Sequence, residues 1–197
     1  LEVSAIIESM RLLLFVSLWL LLGLLSGTPT AQTVTDQITE AVLAAPEPLR
    51  DGARVIVRDD EGYPTILRAG TNSLICEPDG PQPGFGVECY HRSFQAVMDW
   101  TYRRLAEGAR TYREAYADGG PDADINAGAM QYALIGPTKE DAVQTMSIKL
   151  PYATADSTGL PIEERNNGPW LMWPGTAAAH IMFSTKPPGV PDEYPGR

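Results

Sequence analysis

The sequence is short of the residues on which most site chemistry depends. It has two histidines and two cysteines in 197 residues, which leaves few homes for imidazole acid–base chemistry or a thiolate metal cluster. Lysine is nearly as scarce, at positions 139, 149 and 186, and the 15 Lys and Arg stand against 25 Asp and Glu. A net charge of −10 with no visible basic patch argues against nucleic acid, whose phosphates need clustered Lys and Arg. It argues equally against anionic membrane surfaces. No internal repeat is present, and after residue 31 no apolar run is long enough to span a bilayer.

What is there begins with a leader. Met10 and Arg11 form a short charged start, Leu12 to Leu25 carries no charge, and Ser26 to Ala31 is a run of small residues and Pro. That order is the layout of a secretory signal peptide. A helix of fourteen residues spans about 21 Å, short of a hydrocarbon core of about 30 Å. Cleavage after Ala31 is expected, and residues 1–9 read as translated upstream sequence. Residues 32–186 are then a single globular domain, exported to the periplasm or beyond and not inserted in a membrane once cut. Residues 187–197 form a Pro-rich tail. The exported chain keeps 14 basic and 23 acidic residues, a net of −9.

In an oxidising compartment Cys76 and Cys89 are expected to pair. They enclose a Pro- and Gly-rich segment, and closing a loop of this size is worth about 3 kcal/mol in the chain-entropy model. Residues 36–45 read as a helix capped by Thr35 or Asp36 and stopped by Pro46 and Pro48. Residues 53–58 and 63–68 read as a hairpin across Asp59 to Gly62, and 72–77 as a third strand. Ser93 opens the clearest helix. Phe94, Val97, Met98, Thr101, Tyr102, Leu105, Ala109, Tyr112 and Tyr116 share one face, with Asp99–Arg103 and Arg110–Glu114 on the other. Gly108 bends or breaks it. Strands are expected at 130–135, 147–152, 170–173 and 180–184. Strands on both sides of one main amphipathic helix indicate an α+β fold with a mostly antiparallel sheet.

Candidate sites are thin. His180 and Met182 share a strand face, and imidazole with thioether suits Cu(I), with Met172 or Met130 as further ligands; the plainer reading is a core histidine with methionine as filler. His91 and Arg92 stand at the start of the main helix, where free amides could hold a carboxylate or phosphate. Asp156, Ser157 and His180 can be written as a hydrolase triad, but no Gly-x-Ser-x-Gly elbow surrounds the serine. Trp170 and Trp173, three apart in a strand, should face opposite ways, leaving one free to stack on a sugar or another flat ligand. Nothing demands a cofactor.

Four stretches, residues 46–53, 89–93, 151–161 and 168–182, resemble a group of secreted bacterial proteins without a known activity. The likeness spans most of the exported chain. It implies export and carries over no chemistry. A non-catalytic binding or interaction module is the first expectation, a small hydrolase the second, and a copper-handling protein the third.

Overall fold

The computed structural model describes residues 33–116, 120–163 and 168–184, all within one compact unit. The leader, the segment before it and the Pro-rich tail lie outside the described residues.

Helix α1 (Val34–Ala41) opens the domain, continued by a 3₁₀ turn (Val42–Ala44). Its cap is Thr33, two residues earlier than the sequence suggests. The Asp36 amide donates to the Thr33 hydroxyl oxygen at 3.1 Å, and that hydroxyl donates to the Asp36 carboxylate at 2.6 Å. Asp36 is therefore the reciprocal partner in a capping box, not the cap. A short α2 (Glu47–Arg50) follows Pro46.

Eight strands make one sheet in the order β2-β1-β3-β4-β5-β6-β8-β7. They are β1 (Arg54–Arg58), β2 (Pro64–Arg68), β3 (Leu74–Glu77), β4 (Phe85–His91), β5 (Met130–Gly136), β6 (Val143–Lys149), β7 (Trp170–Met172) and β8 (His180–Ser184). All pairings are antiparallel except β1 with β3. The α+β class with its antiparallel sheet is as the sequence indicates. The hairpin of β1 and β2 closes where expected. At Gly62, with φ +84°, any Cβ would meet the Tyr102 backbone at 2.7 Å, so the turn can lie flat on the main helix only with glycine there.

Alternation along the strands divides the core in two. On one face Val55, Leu74, Cys76, Phe85, Val87 and Cys89 pack under Ala41, Ala44 and Ala45 of the amino-terminal helical segment. On the other, Ile56, Ile75 and Tyr90 pack against Phe94, Val97 and Met98. Those last residues belong to a 3₁₀ turn (Arg92–Phe94) that runs into α3 (Gln95–Ala106). The single long helix of the sequence reading is thus two. Gly108 sits at φ +112°, and α4 (Tyr112–Ala115) restarts with the Thr111 hydroxyl accepting from the Glu114 amide at 3.1 Å. Arg110 and Glu114 pair at 3.3 Å as expected. Asp99 instead turns inward to Arg58 at 2.9 Å, since a half-buried carboxylate gains more from a desolvated guanidinium than from Arg103 in water. The last helical turn is α5 (Ala155–Thr158).

The disulfide Cys76–Cys89 is formed, in a setting different from the loop inferred from composition. Residues 85–91 are strand, not loop, and Cys76 stands directly opposite Cys89 in the β3–β4 ladder. The bridge joins cross-strand neighbours inside the sheet, and only residues 78–84 are left as connection. Strand β6 likewise begins at Val143, four residues before the expected start. Among the described residues no helix is long and apolar enough to cross a membrane.

Candidate functional site

The face of the sheet covered by α3 carries a row of buried polar side chains. At one end Arg58 holds Glu77 with two bonds, Nε to Oε2 and Nη2 to Oε1, each 2.8 Å. Its Nη1 donates to Asp99 at 2.9 Å and to the Gly62 carbonyl at 3.0 Å. Tyr90 donates its hydroxyl to Glu77 at 2.5 Å. Burial pulls the Arg58 pKa down, but the bonds and charge of Glu77 outweigh it, so the guanidinium stays firmly protonated. Burial pushes Glu77 up, and Arg58 opposes it. Tyr90 is held well above its ordinary value, first by burial and then by Glu77.

The row continues across the next strands. Glu88 pairs with Glu77 in the ladder and accepts from Tyr102 at 3.0 Å and from the Gln131 amide at 2.9 Å. The Gln131 carbonyl takes Nζ of Lys149 at 2.6 Å. Lys149, 1 % exposed, also lies 3.7 Å from the ring centroid of Phe94, a cation over an aromatic face. Burial brings its pKa down to about 7, against the pull of Glu88. Lys149 stands opposite His180 of β8. His180 is 3 % exposed, and its Nδ1 lies 2.7 Å from the Ala178 carbonyl. Burial, then the neighbouring Lys149 charge, puts it well below its ordinary pKa.

Over His180 the surface changes character. Trp173 meets its ring edge-on at 5.0 Å and stacks flat on Tyr116 at 4.1 Å, and Tyr116 in turn meets Trp100 at 5.4 Å. Trp173 has φ +54°, and Tyr152 in the adjoining loop has φ +61°. These are the only described residues other than glycine at positive φ, and bulky side chains rarely adopt that region. Non-glycine residues held there cost on the order of 1–3 kcal/mol each and persist only where the surroundings impose them. Here the two loops clamp each other. The Tyr152 amide donates to the Thr176 carbonyl at 2.7 Å, and the Gly175 amide to the Ala153 carbonyl at 2.8 Å. Tyr152 is 57 % exposed, yet its hydroxyl is fixed on Asp122 at 2.6 Å, a bond that raises its pKa.

The residues singled out in the sequence fall as follows. Strand β7 ends at Met172, so Trp170 and Trp173 do not alternate across one strand as expected. Trp170 is buried on the α3 side, opposite Met182, while Trp173 leaves the sheet in its left-handed turn. Asp156 and Ser157 sit in α5, where the Ser157 hydroxyl closes a capping box with Thr154. Among the described residues no hydrogen bond joins either of them to His180. Met172 and Met182 share the face of His180, but that ring is enclosed. No group of three His, Cys, Asp or Glu able to hold a metal occurs among the described residues. His91 does not leave a helix start open: its Nδ1 accepts from the Ser93 amide at 3.2 Å, and the Arg92 amide donates to Ser73 at 2.8 Å. Arg92 is exposed, with its Nη2 donating to the Ser73 hydroxyl at 3.3 Å.

Sequence reasoning missed the polar row and Tyr152. Glu77, Glu88 and Lys149 each stand among large apolar or cysteine neighbours in a strand, which was the available signal. Tyr152 carried none, because a backbone angle leaves no trace in composition. Compared with models of protein families, with curated proteins and with solved structures, the chain matches none of them.

Proposed function

We propose that this is an exported, non-catalytic binding module whose ligand surface is formed by the loops carrying Tyr152 and Trp173. The observation that carries the reading is the pair of aromatics held at positive φ in two loops locked to each other. Asn or Gly would sit in those positions without strain, so the aromatic side chains oppose local backbone preference, as is common where a ring is presented to a ligand. Tyr152 offers an exposed ring, its hydroxyl anchored at Asp122, and Trp173, partly buried, stacks on Tyr116 against the core on the α3 side. A flat, partly apolar ligand such as a sugar ring suits that chemistry. The disulfide supports export, as do the leader and the resemblance to secreted bacterial proteins.

The test uses Tyr152→Asn, which keeps a residue tolerant of φ +61° and removes the ring. Isothermal titration against soluble oligosaccharides of hexoses and N-acetylhexosamines should find a ligand for the wild type that the variant loses. The variant should melt no lower than wild type. A clearly lower melting temperature would mean that the ring serves the fold, and equal affinity of the two proteins would place the ligand elsewhere.

A further inference from the structure

A recess lies at the start of β1 and β3, beside the 3₁₀ turn that leads into α3. It is lined by Arg54 and Arg92 together with Gly70, Thr71, Asn72, Leu74 and Ile75. We propose that it binds a phosphate-type oxyanion through Arg54 and Arg92.

The case rests on how the other arginines with described side chains are partnered. Arg58, two positions after Ile56 on the strand that Arg54 opens, is neutralised by Glu77 and Asp99. Arg50 and Arg68 bond backbone carbonyls of residues 43, 45, 50 and 53. Arg104 and Arg110 pair with glutamates, and Arg103 lies over the ring of Tyr63. Arg54 has no side-chain partner among the described residues, and Arg92 has one, the Ser73 hydroxyl at 3.3 Å. A guanidinium carries five N–H donors. Two arginines line one recess in a protein of net charge −10, and neither forms an ion pair with a carboxylate among the described residues.

The recess is also built in advance of any ligand. The Gly52 carbonyl accepts from both the Thr71 and the Asn72 amides, at 2.8 and 3.0 Å. Asn72 fixes the loop further, donating to the Leu49 carbonyl at 2.8 Å and accepting from the Leu74 amide at 2.9 Å. At Gly70 a Cβ would come within 2.5 Å of the Arg54 backbone nitrogen, so the loop lies directly against the start of β1. Thr71 also lines the recess, and its hydroxyl has no hydrogen-bond partner among the described residues. Two planar forks and a hydroxyl offer more donors than the two oxygens of a carboxylate can accept, and two positive charges match a tetrahedral dianion. Arg92 belonged to the anion site inferred from sequence. The structure replaces the helix amides of that inference, which are occupied, with a second guanidinium 38 positions away in the chain.

The experiment is NMR titration of the disulfide-bonded protein with inorganic phosphate in low-salt buffer, repeated with acetate and with the variant R54Q/R92Q. Saturable shifts at residues 52–54, 71–73 and 91–93 are expected with phosphate. They should weaken at least about tenfold in the double variant and respond only weakly to acetate. Arg92→Gln alone, at an exposed position, should already weaken the response while leaving the melting temperature unchanged. No saturable response to phosphate would overturn the site. So would an unchanged response in either variant, or acetate binding as tightly as phosphate. Because neither arginine touches the Tyr152 loop, this result and that of the sugar titration stand independently.

Discussion

Lys149 is the residue whose environment asks most of the fold. Its amine is enclosed by Phe94 and Gln131 and has its pKa brought from 10.5 down to about 7. The unfolded chain therefore binds a proton that the folded chain has lost between those two values. Stability rises with pH across that window and falls as pH drops toward 7, where the folded state must also accept the charge. Lys149→Met removes this burden and leaves Gln131 short of one donor. The variant should gain most over wild type at pH 6, and the gain should shrink by roughly 2–3 kcal/mol at pH 9. Urea denaturation at both pH values measures it, and a pH-independent difference between the two proteins would refute the assignment. The side chain is legible in the sequence only as a charge in a short apolar strand. Its partner Gln131 lies 18 residues away, and no local pattern announces that the two will meet. The same holds for Arg58 and Glu77, since ordinary alternation assigns charged strand residues to solvent.

At the scale of elements, local chemistry was readable where it was strong. The β1–β2 hairpin, the amphipathic stripe of α3 and the strands ending at Gly136 and starting at His180 follow from periodicity and turn residues. Strand β4 did not, because the Pro and Gly between the cysteines outweighed the alternation of Phe85, Val87 and Cys89 against Glu88 and Tyr90. That correction changes what the disulfide does. Linking positions 13 apart should be worth about 3 kcal/mol if the enclosed chain were free. The β3–β4 ladder already restrains both cysteines, so Cys76→Ser with Cys89→Ser should cost nearer 2 kcal/mol, including the packing lost around two fully buried sulfurs. Equilibrium unfolding in guanidinium would check this, with a double variant that cannot fold at all counting against the ladder as an independent restraint.

For the whole molecule, eight strands form one sheet with helices on both faces, and the helical layer of each face comes from a different part of the chain. The amino-terminal segment, which precedes every strand in the sequence, covers the disulfide side, whereas α3, which follows β4, covers the polar side. Expressed in a bacterium with its leader intact, the protein is expected in the periplasm or medium with Thr33 near its amino terminus and no free thiol. Mass spectrometry of the native product after alkylation tests both, and recovery of the protein with residues 12–25 attached would count against export by this route. The sheet class and the bridge could be read from the chain, while the clamped aromatic loops and the paired arginines could not. Those depend on which distant turns the sheet order brings side by side.

Both sulfurs of the bridge are wholly enclosed, and that of Cys89 lies 3.4 Å from the carbonyl of Ala41 at the end of α1. An attacking thiolate must reach a sulfur, and neither is exposed. Reductant therefore acts only on molecules that have opened around the bridge, so the speed of reduction in the folded protein reports how often that opening occurs.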